Sequence, residues 1–453
     1  MNAVRNVLDS GSSLGRPLDR RGFLRLGGVA GAAVLLGGCG GTSTPPGAGS
    51  QSFGSGATYD GPKVTLQFWN GFTGGDGPFL RELVDQFSRE QKNIDVHMTV
   101  LEWEDYYAKV PNAVASGSGP DVGIMHIDQL ATNAARQVIL PLDEVAESLK
   151  LTESDFEPTV WNAGTYNGQR YGIPLDIHPL GFFYNSEQMQ KAGVSQPPSD
   201  ASTWDDTIQS LQQSGVQTPF WVTATWPAHL MFFSLINQFG GSMFNSDATE
   251  ATFASPEGIE ALEWYTSWIQ EGASPGNVAE DAQATAFKQG RNSLTWDGIW
   301  MMNEWDTVTS LEWGVAPVPT IGDRPAVWAS SHNFVVMRQQ EQDQNKLDAA
   351  RVFISWISER SIEWARSGQI PARNSVRESA QFQQLETQST LAEQLPNVVF
   401  PPAVPGIGDI TIPTWETAVN EAVLGRKSVN AALTQAQSDA NKMLAENREK
   451  YGA

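Results

Sequence analysis

Cysteine is almost missing from this chain. Cys39 is alone among 453 residues, which excludes an intrachain disulfide framework and a cysteine-rich metal site. Basic side chains are scarce too, 29 Lys and Arg against 51 Asp and Glu, for a formal charge of −22. That balance speaks against a nucleic-acid partner, because such affinity comes from neutralising phosphates. It also disfavours adsorption to an anionic lipid surface. Long apolar runs are lacking: the stretch over residues 26–36 is short and glycine-rich, whereas a bilayer span takes roughly 20 apolar residues. The five histidines are scattered, with no His-Glu-x-x-His, no paired-cysteine zinc spacing and no Gly-x-Ser-x-Gly elbow.

What is present at the start has a definite order. Asp19-Arg20-Arg21-Gly22-Phe23-Leu24-Arg25 precedes the apolar stretch, and small residues follow it up to Cys39. A basic start, a short apolar middle and small residues at the cut make an export signal over 1–38, and the adjacent arginines point to the twin-arginine route. Leu36-Gly37-Gly38-Cys39 resembles a bacterial lipobox, which implies acylation of Cys39 as the new first residue. A non-lipidated signal with a chance cysteine is the alternative. Acyl chains, at about 0.8 kcal/mol per buried methylene, would hold the protein on the outer face of the cytoplasmic membrane. Residues 39–61, mostly Gly, Ser, Thr and Pro, read as a flexible tether.

The first 38 residues hold five Arg and two Asp, so the remainder keeps 24 basic and 49 acidic side chains. Its length exceeds what one core usually supports, and two lobes are expected. All 16 tryptophans fall in this part. Indoles are large and rarely fully buried, so several are expected to line a cleft. Val64, Leu66 and Phe68 alternate with polar residues as in a strand; Pro78 opens a helix with the stripe Phe79, Leu80, Leu83, Val84, Phe87; Ile94, Val96, Met98 and Val100 alternate again. This is a β-α-β unit with parallel strands, continued by a helix over 105–115 and a strand over 121–127. Ligand contacts in open α/β sheets gather beyond the carboxyl ends of strands, which places Trp69, Asn70 and residues 126–128 at one rim. The glycine-rich loop 72–77 lacks a P-loop ending and dinucleotide spacing. It is either a tight turn or a means of bringing backbone donors and Asp76 to a polar ligand.

Farther on, Tyr171-Gly-Ile-Pro-Leu-Asp-Ile-His-Pro-Leu-Gly-Phe-Phe-Tyr-Asn185 interrupts an extended apolar run with prolines and glycines. The segment resembles the crossover of the sugar-binding lipoproteins that feed ABC importers, the relatives of maltose-binding protein. Gly117-Ser-Gly-Pro-Asp-Val122, Pro198 with Ser202-Thr-Trp-Asp205, Phe239-Gly-Gly241, Phe287 and Gly290 ahead of Trp296-Asp-Gly-Ile-Trp300, Gly314-Val-Ala-Pro-Val-Pro319 and Gly368-Gln-Ile-Pro-Ala-Arg373 follow in the family's order. A closing amphipathic helix follows Gly425. The resemblance covers nearly all of 62–450 and implies an α/β, two-lobed periplasmic-binding-protein-like fold with a cleft between lobes. Crossings are expected near 173–180, 317–321 and 367–371. They divide the chain into a first lobe of 62–175 and 319–367 and a second of 176–318 and 368–453.

The same resemblance implies an ABC-importer component that captures a sugar or oligosaccharide, closes its lobes and docks on a permease. It implies no catalysis, cofactor or metal, and a monomer. Trp300 matches the family's stacking indole, with Trp296 and Asp297 beside it. Asp128 matches an acidic rim residue, with helix capping as its alternative. Asp176 and His178 lie in the crossover, His178 being either a ligand contact or a structural histidine. Trp226 stands where relatives present an aromatic, His332 enters a late strand, and Arg373 matches "I-P-A-R" in a ligand or structural role. Met125-His126 departs from the family, lacking the aromatic that maltose-binding protein shows beside its acidic residue, so maltose is not carried over. Rival readings are a glycerophosphodiester ligand, which asks for cationic contacts, a secreted glycoside hydrolase with two opposed carboxylates, and an adhesive lipoprotein.

Overall fold

The computed structural model describes residues 58–452; the export segment, Cys39 and the tether up to residue 57 lie outside them. Strand β1 (Val64–Asn70) turns Leu66, Phe68 and Asn70 into the interior, as its alternation requires. Helix α1 (Gly77–Glu90) has Pro78 in its first turn, where the missing N–H costs nothing, and buries Leu80, Leu83, Val84 and Phe87. Strand β2 (Ile94–Val100) runs parallel to β1 with Val64 opposite Ile94. Helix α2 (Trp103–Ala115) begins two residues before the expected start, so Trp103 is helical. Strand β3 (Val122–His126) stops at His126 because Ile127 opens helix α3 (Ile127–Ala135).

The first sheet has the order 94–100, 64–70, 122–126, 332–336, 173–174. Strand His332–Val336 returns late and pairs antiparallel with β3. The core under this sheet holds Phe68, Phe87, Phe334 and Phe353, in edge-to-face contacts such as Phe68–Phe353 at 5.1 Å. Helix Gln344–Glu359 covers it. The single helix expected over 346–364 is broken at Arg360 and resumes as Ser361–Trp364.

The second sheet is built on Asp176–Asn185, whose later residues pair with Leu294–Gly298 and Trp313–Ala316. Its earlier residues pair with Val327–Ser330 and Ile370–Pro371. Its core includes Trp204, Phe232, Tyr265 and Trp296. The closing helix Val429–Tyr451 adds Ala432, Leu433, Ala436, Ala440 and Leu444 to it. Each sheet therefore has its own core, and the chain passes between them at Leu175, at Ser331 and after Trp364.

The middle passage lies downstream of the expected 317–321. Gln238 pins that segment to the second core, accepting from Ile321 N at 2.7 Å and donating to Pro319 O at 3.0 Å. Residues 319–330 thus stay with the second sheet. No helix among the described residues is long and apolar enough to cross a membrane.

Candidate functional site

Strand register builds the centre of the site. His332 pairs directly with His126 across the first sheet, and Ser330, two residues earlier, pairs with His178 on the second. Directly opposed residues have Cβ atoms about 5 Å apart, so three histidines from distant parts of the chain meet where the sheets join. Their ring centroids lie 4.0 Å apart for His178–His332, 4.7 Å for His126–His332 and 5.4 Å for His126–His178.

Asp176 orients two of the rings. It is wholly buried and accepts from His178 Nδ1 at 3.0 Å, His332 Nδ1 at 2.9 Å, His332 N at 3.1 Å and Trp364 Nε1 at 2.8 Å. Burial by itself would raise this carboxyl, but His332 and His178 outweigh that and hold it well below the usual carboxylate range. The Nδ1 of His126 meets Tyr107 Oη at 2.7 Å, and the same oxygen accepts from His126 N. Burial, then the neighbouring His332, lowers His178 to about 4, against the pull of Asp176. Burial followed by the other two rings pushes His126 well below its ordinary value. Both rings are neutral at physiological pH.

Aromatic rings surround the cluster. Trp103 stacks on His332 at 5.5 Å and 16° and meets His126 edge-on at 4.4 Å. Phe72 meets His332 at 4.5 Å. On the second-sheet side Trp300 approaches His178 at 5.9 Å and Trp226 at 5.9 Å. Trp226 is 37% exposed, one of two large apolar side chains left so open among the described residues. Trp300 is half-buried, presented by the turn Ile299–Met301 that ends strand Leu294–Gly298. Gly298 permits this, because a Cβ there would lie 2.0 Å from the Trp300 indole.

The loop before α1 reaches this edge from the first lobe. A Cβ on Gly74 would lie 3.9 Å from Trp300 Cδ1, and one on Gly75 3.2 Å from Trp300 O. Asp76 closes the loop, buried and bonded to Gln369 Nε2 at 2.9 Å, and burial raises its carboxyl to about 6. Asp297 accepts from Gly298 N at 2.8 Å, and burial raises it to about 7. Burial likewise raises Asp128 to about 6. Indole faces beside neutral imidazoles and desolvated carboxyls suit a ligand with apolar C–H faces and a rim of hydroxyls.

Of the residues singled out from sequence, the fold brings together Asp76, Asp176, His178, Trp226, Trp300 and His332. Asn70 adjoins them, its Oδ1 accepting from Phe72 N at 3.2 Å while its buried Nδ2 is without a partner. Trp296 is a correction: at 1% exposure it packs on Trp204 and Trp264 in the core. Asp176 is not a ligand contact, since protein donors occupy both oxygens. Arg373 is structural, its Nε bonded to Asp155 at 2.7 Å. Trp69 packs against the core cluster that includes Tyr106, Val110 and Met125 and makes no ring contact with the histidines among the described residues. Asp128 lies in the first turn of α3 rather than at its cap, beside Gln129 and the loop at Gly408, and its charge acts on Tyr107. His126, Trp103, Tyr107 and Trp364 were missed. Only the rim placement of residues 126–128 hinted at one of them. Two surface depressions, of about 290 Å³ beside Trp161 and about 500 Å³ beside Tyr184, lie elsewhere and lack converging ring nitrogens.

The fold has known relatives. Residues 73–361 match the family described as bacterial extracellular solute-binding protein. The maltodextrin-binding protein of Bacillus subtilis is 21% identical over 391 residues, covering 82% of this chain and 88% of that one. A Streptomyces glaucescens receptor solved unliganded and with acarbose superposes with a TM-score of 0.77 at 20% identity, over 85% of this chain and 99% of that one. An ABC substrate-binding protein of Listeria monocytogenes in complex with cycloalternan gives 0.73 at 21% identity, over 84% and 99%. The two-lobed α/β fold is shared with these structures.

Proposed function

Because the chain belongs to the family of bacterial extracellular solute-binding proteins, we propose that it captures an oligosaccharide outside the cell and delivers it to an ABC permease. The observation that carries this reading is the Trp226–Trp300 pair, open to solvent on one side and backed by His178 on the other. Sugar rings lie on indole faces, and their hydroxyls find acceptors in imidazole nitrogens and in Asp76. Solved relatives are described with acarbose and with cycloalternan, which is consistent with an oligosaccharide rather than a single ring. A ligand touching both lobes stabilises their closed arrangement, and bending at the three passages near Leu175, Ser331 and 365–370 supplies the hinge. A phosphodiester ligand asks for a cation, and Arg373, the base offered by sequence, is engaged by Asp155.

The extracytoplasmic location follows from the family. The finer assignment, twin-arginine export followed by lipid attachment at Cys39 and action as a tethered monomer, rests on the sequence of residues 1–61. The direct test is a thermal-shift screen of the protein against mono-, di- and oligosaccharides, followed by calorimetry with the best of them. A ligand that binds only the folded state raises the melting temperature. Trp300→Ala is expected to weaken binding by about 2 kcal/mol or more, as buried aromatic anchors do. Failure of every carbohydrate to shift the melting curve would overturn the reading.

A further inference from the structure

Three of the five histidines in the chain converge on one point, and the surrounding bonds dispose of one nitrogen of each ring. His178 and His332 commit Nδ1 to Asp176, and His126 commits Nδ1 to Tyr107. No described residue bonds the Nε2 of any of the three. One ligand nitrogen from each ring lies within 4.8 Å of the other two. We propose that His126, His178 and His332 form a binding site for a divalent transition-metal ion of the zinc class, held through Nε2 at the junction of the two sheets.

The chemistry of the donors supports the assignment. Three imidazoles with a position left for water or a ligand hydroxyl are a common zinc donor set. Metal-binding histidines usually give their other ring nitrogen to a carboxylate or similar acceptor, which fixes tautomer and orientation. Asp176 does this for two rings at once, through the Nδ1 of His178 and of His332. Trp364 and the His332 backbone hold the carboxylate in turn. At His126 the Tyr107 oxygen already accepts one backbone N–H. Its second lone pair takes Nδ1–H when that ring adopts the ligand tautomer.

Geometry sets what binding must do. Tetrahedral bonds of about 2.1 Å put ligand nitrogens about 3.4 Å apart, so the three rings must settle at that spacing around an ion. His126 and His332 stand on the first sheet and His178 on the second, so an ion shared by the three ties the lobes at the hinge. Metal binding is thereby coupled to lobe position.

The test uses the full-length protein, stripped with chelator and titrated with Zn²⁺ in the absence of carbohydrate, with Co²⁺ as the spectroscopic probe. One equivalent of Zn²⁺ per chain is expected, with an intense visible Co²⁺ band from a site of low coordination number. His126→Ala should weaken Zn²⁺ binding at least 100-fold, and Tyr107→Phe by 10- to 100-fold, as loss of an outer partner does. His97→Ala, on an exposed strand position, should leave it unchanged. His126 makes no hydrogen bond to Asp176, its Nδ1 meeting Tyr107 instead, so its variant keeps the test open if His178→Ala does not fold. Binding below one equivalent, or equal Zn²⁺ affinity in His126→Ala and His97→Ala, would overturn the proposal whatever the carbohydrate screen shows.

Discussion

Gly298→Ala isolates the indole that the proposed function depends on. The backbone at this residue has φ −72° and ψ 149°, which alanine adopts without strain. The perturbation is therefore purely one of contact. The added Cβ would sit 2.0 Å from Cε2 and Cζ2 of Trp300 and 2.2 Å from Cη2, whereas carbon atoms pack at about 3.5–4.0 Å. The indole must withdraw by about 1.5 Å or tip away, breaking its 5.9 Å approach to Trp226. Overpacking of this kind costs about 1–3 kcal/mol of stability, small enough for the protein to remain folded. Affinity should fall by about 2 kcal/mol, roughly 30-fold, the same loss expected of Trp300→Ala. Calorimetry on the single variants and on the double variant reads the coupling directly. In the Trp300→Ala background the alanine at 298 should cost nothing further. Binding by Gly298→Ala within twofold of the parent, or an equal loss in both backgrounds, would refute the reasoning.

Other outcomes are equally definite. Asp176→Asn replaces an acceptor oxygen by a donor that faces His178, His332 or Trp364, and breaking such a buried charged network should cost about 3–5 kcal/mol. Urea titration measures it, and a loss under 1 kcal/mol would remove Asp176 from its organising role. Asp297 has a folded-state value of about 7 against about 3.9 unfolded. The folded protein therefore binds more protons between these values, and stability falls as pH rises through that window, by up to about 4 kcal/mol. Asp297→Asn should flatten this part of the urea-midpoint profile between pH 4.5 and 8; an unchanged slope contradicts the assignment. Cys39→Ser should leave ligand affinity intact while releasing the protein from membranes, and a variant still membrane-bound after a salt wash would overturn the lipid-anchor reading.

Much of the fold was written in local pattern. The alternation of Leu66 and Phe68 and the stripe Leu80, Leu83, Val84, Phe87 specify a strand and a helix whatever surrounds them, because side-chain period follows from backbone geometry. The five-residue run Trp296–Trp300 likewise announced an aromatic feature. What local pattern left open was which indole faces outward. Alternation along strand Leu294–Gly298 separates Trp296 from the turn that follows, but only the packing of Trp204 and Trp264 shows that Trp296 is core and Trp300 is not. Arg373 and Asp176 carry charges that read as ligand contacts until their partners, Asp155 and the paired histidines, are seen.

The sequence alone determined the acidic character and the indole content, and most of the elements, which depend on neighbours within a few positions. The tertiary structure decided the meeting of His126, His178 and His332. That meeting depends on antiparallel register between strands far apart in the chain. Register is set by which faces the whole set of strands and helices can bury together, a quantity no local window contains.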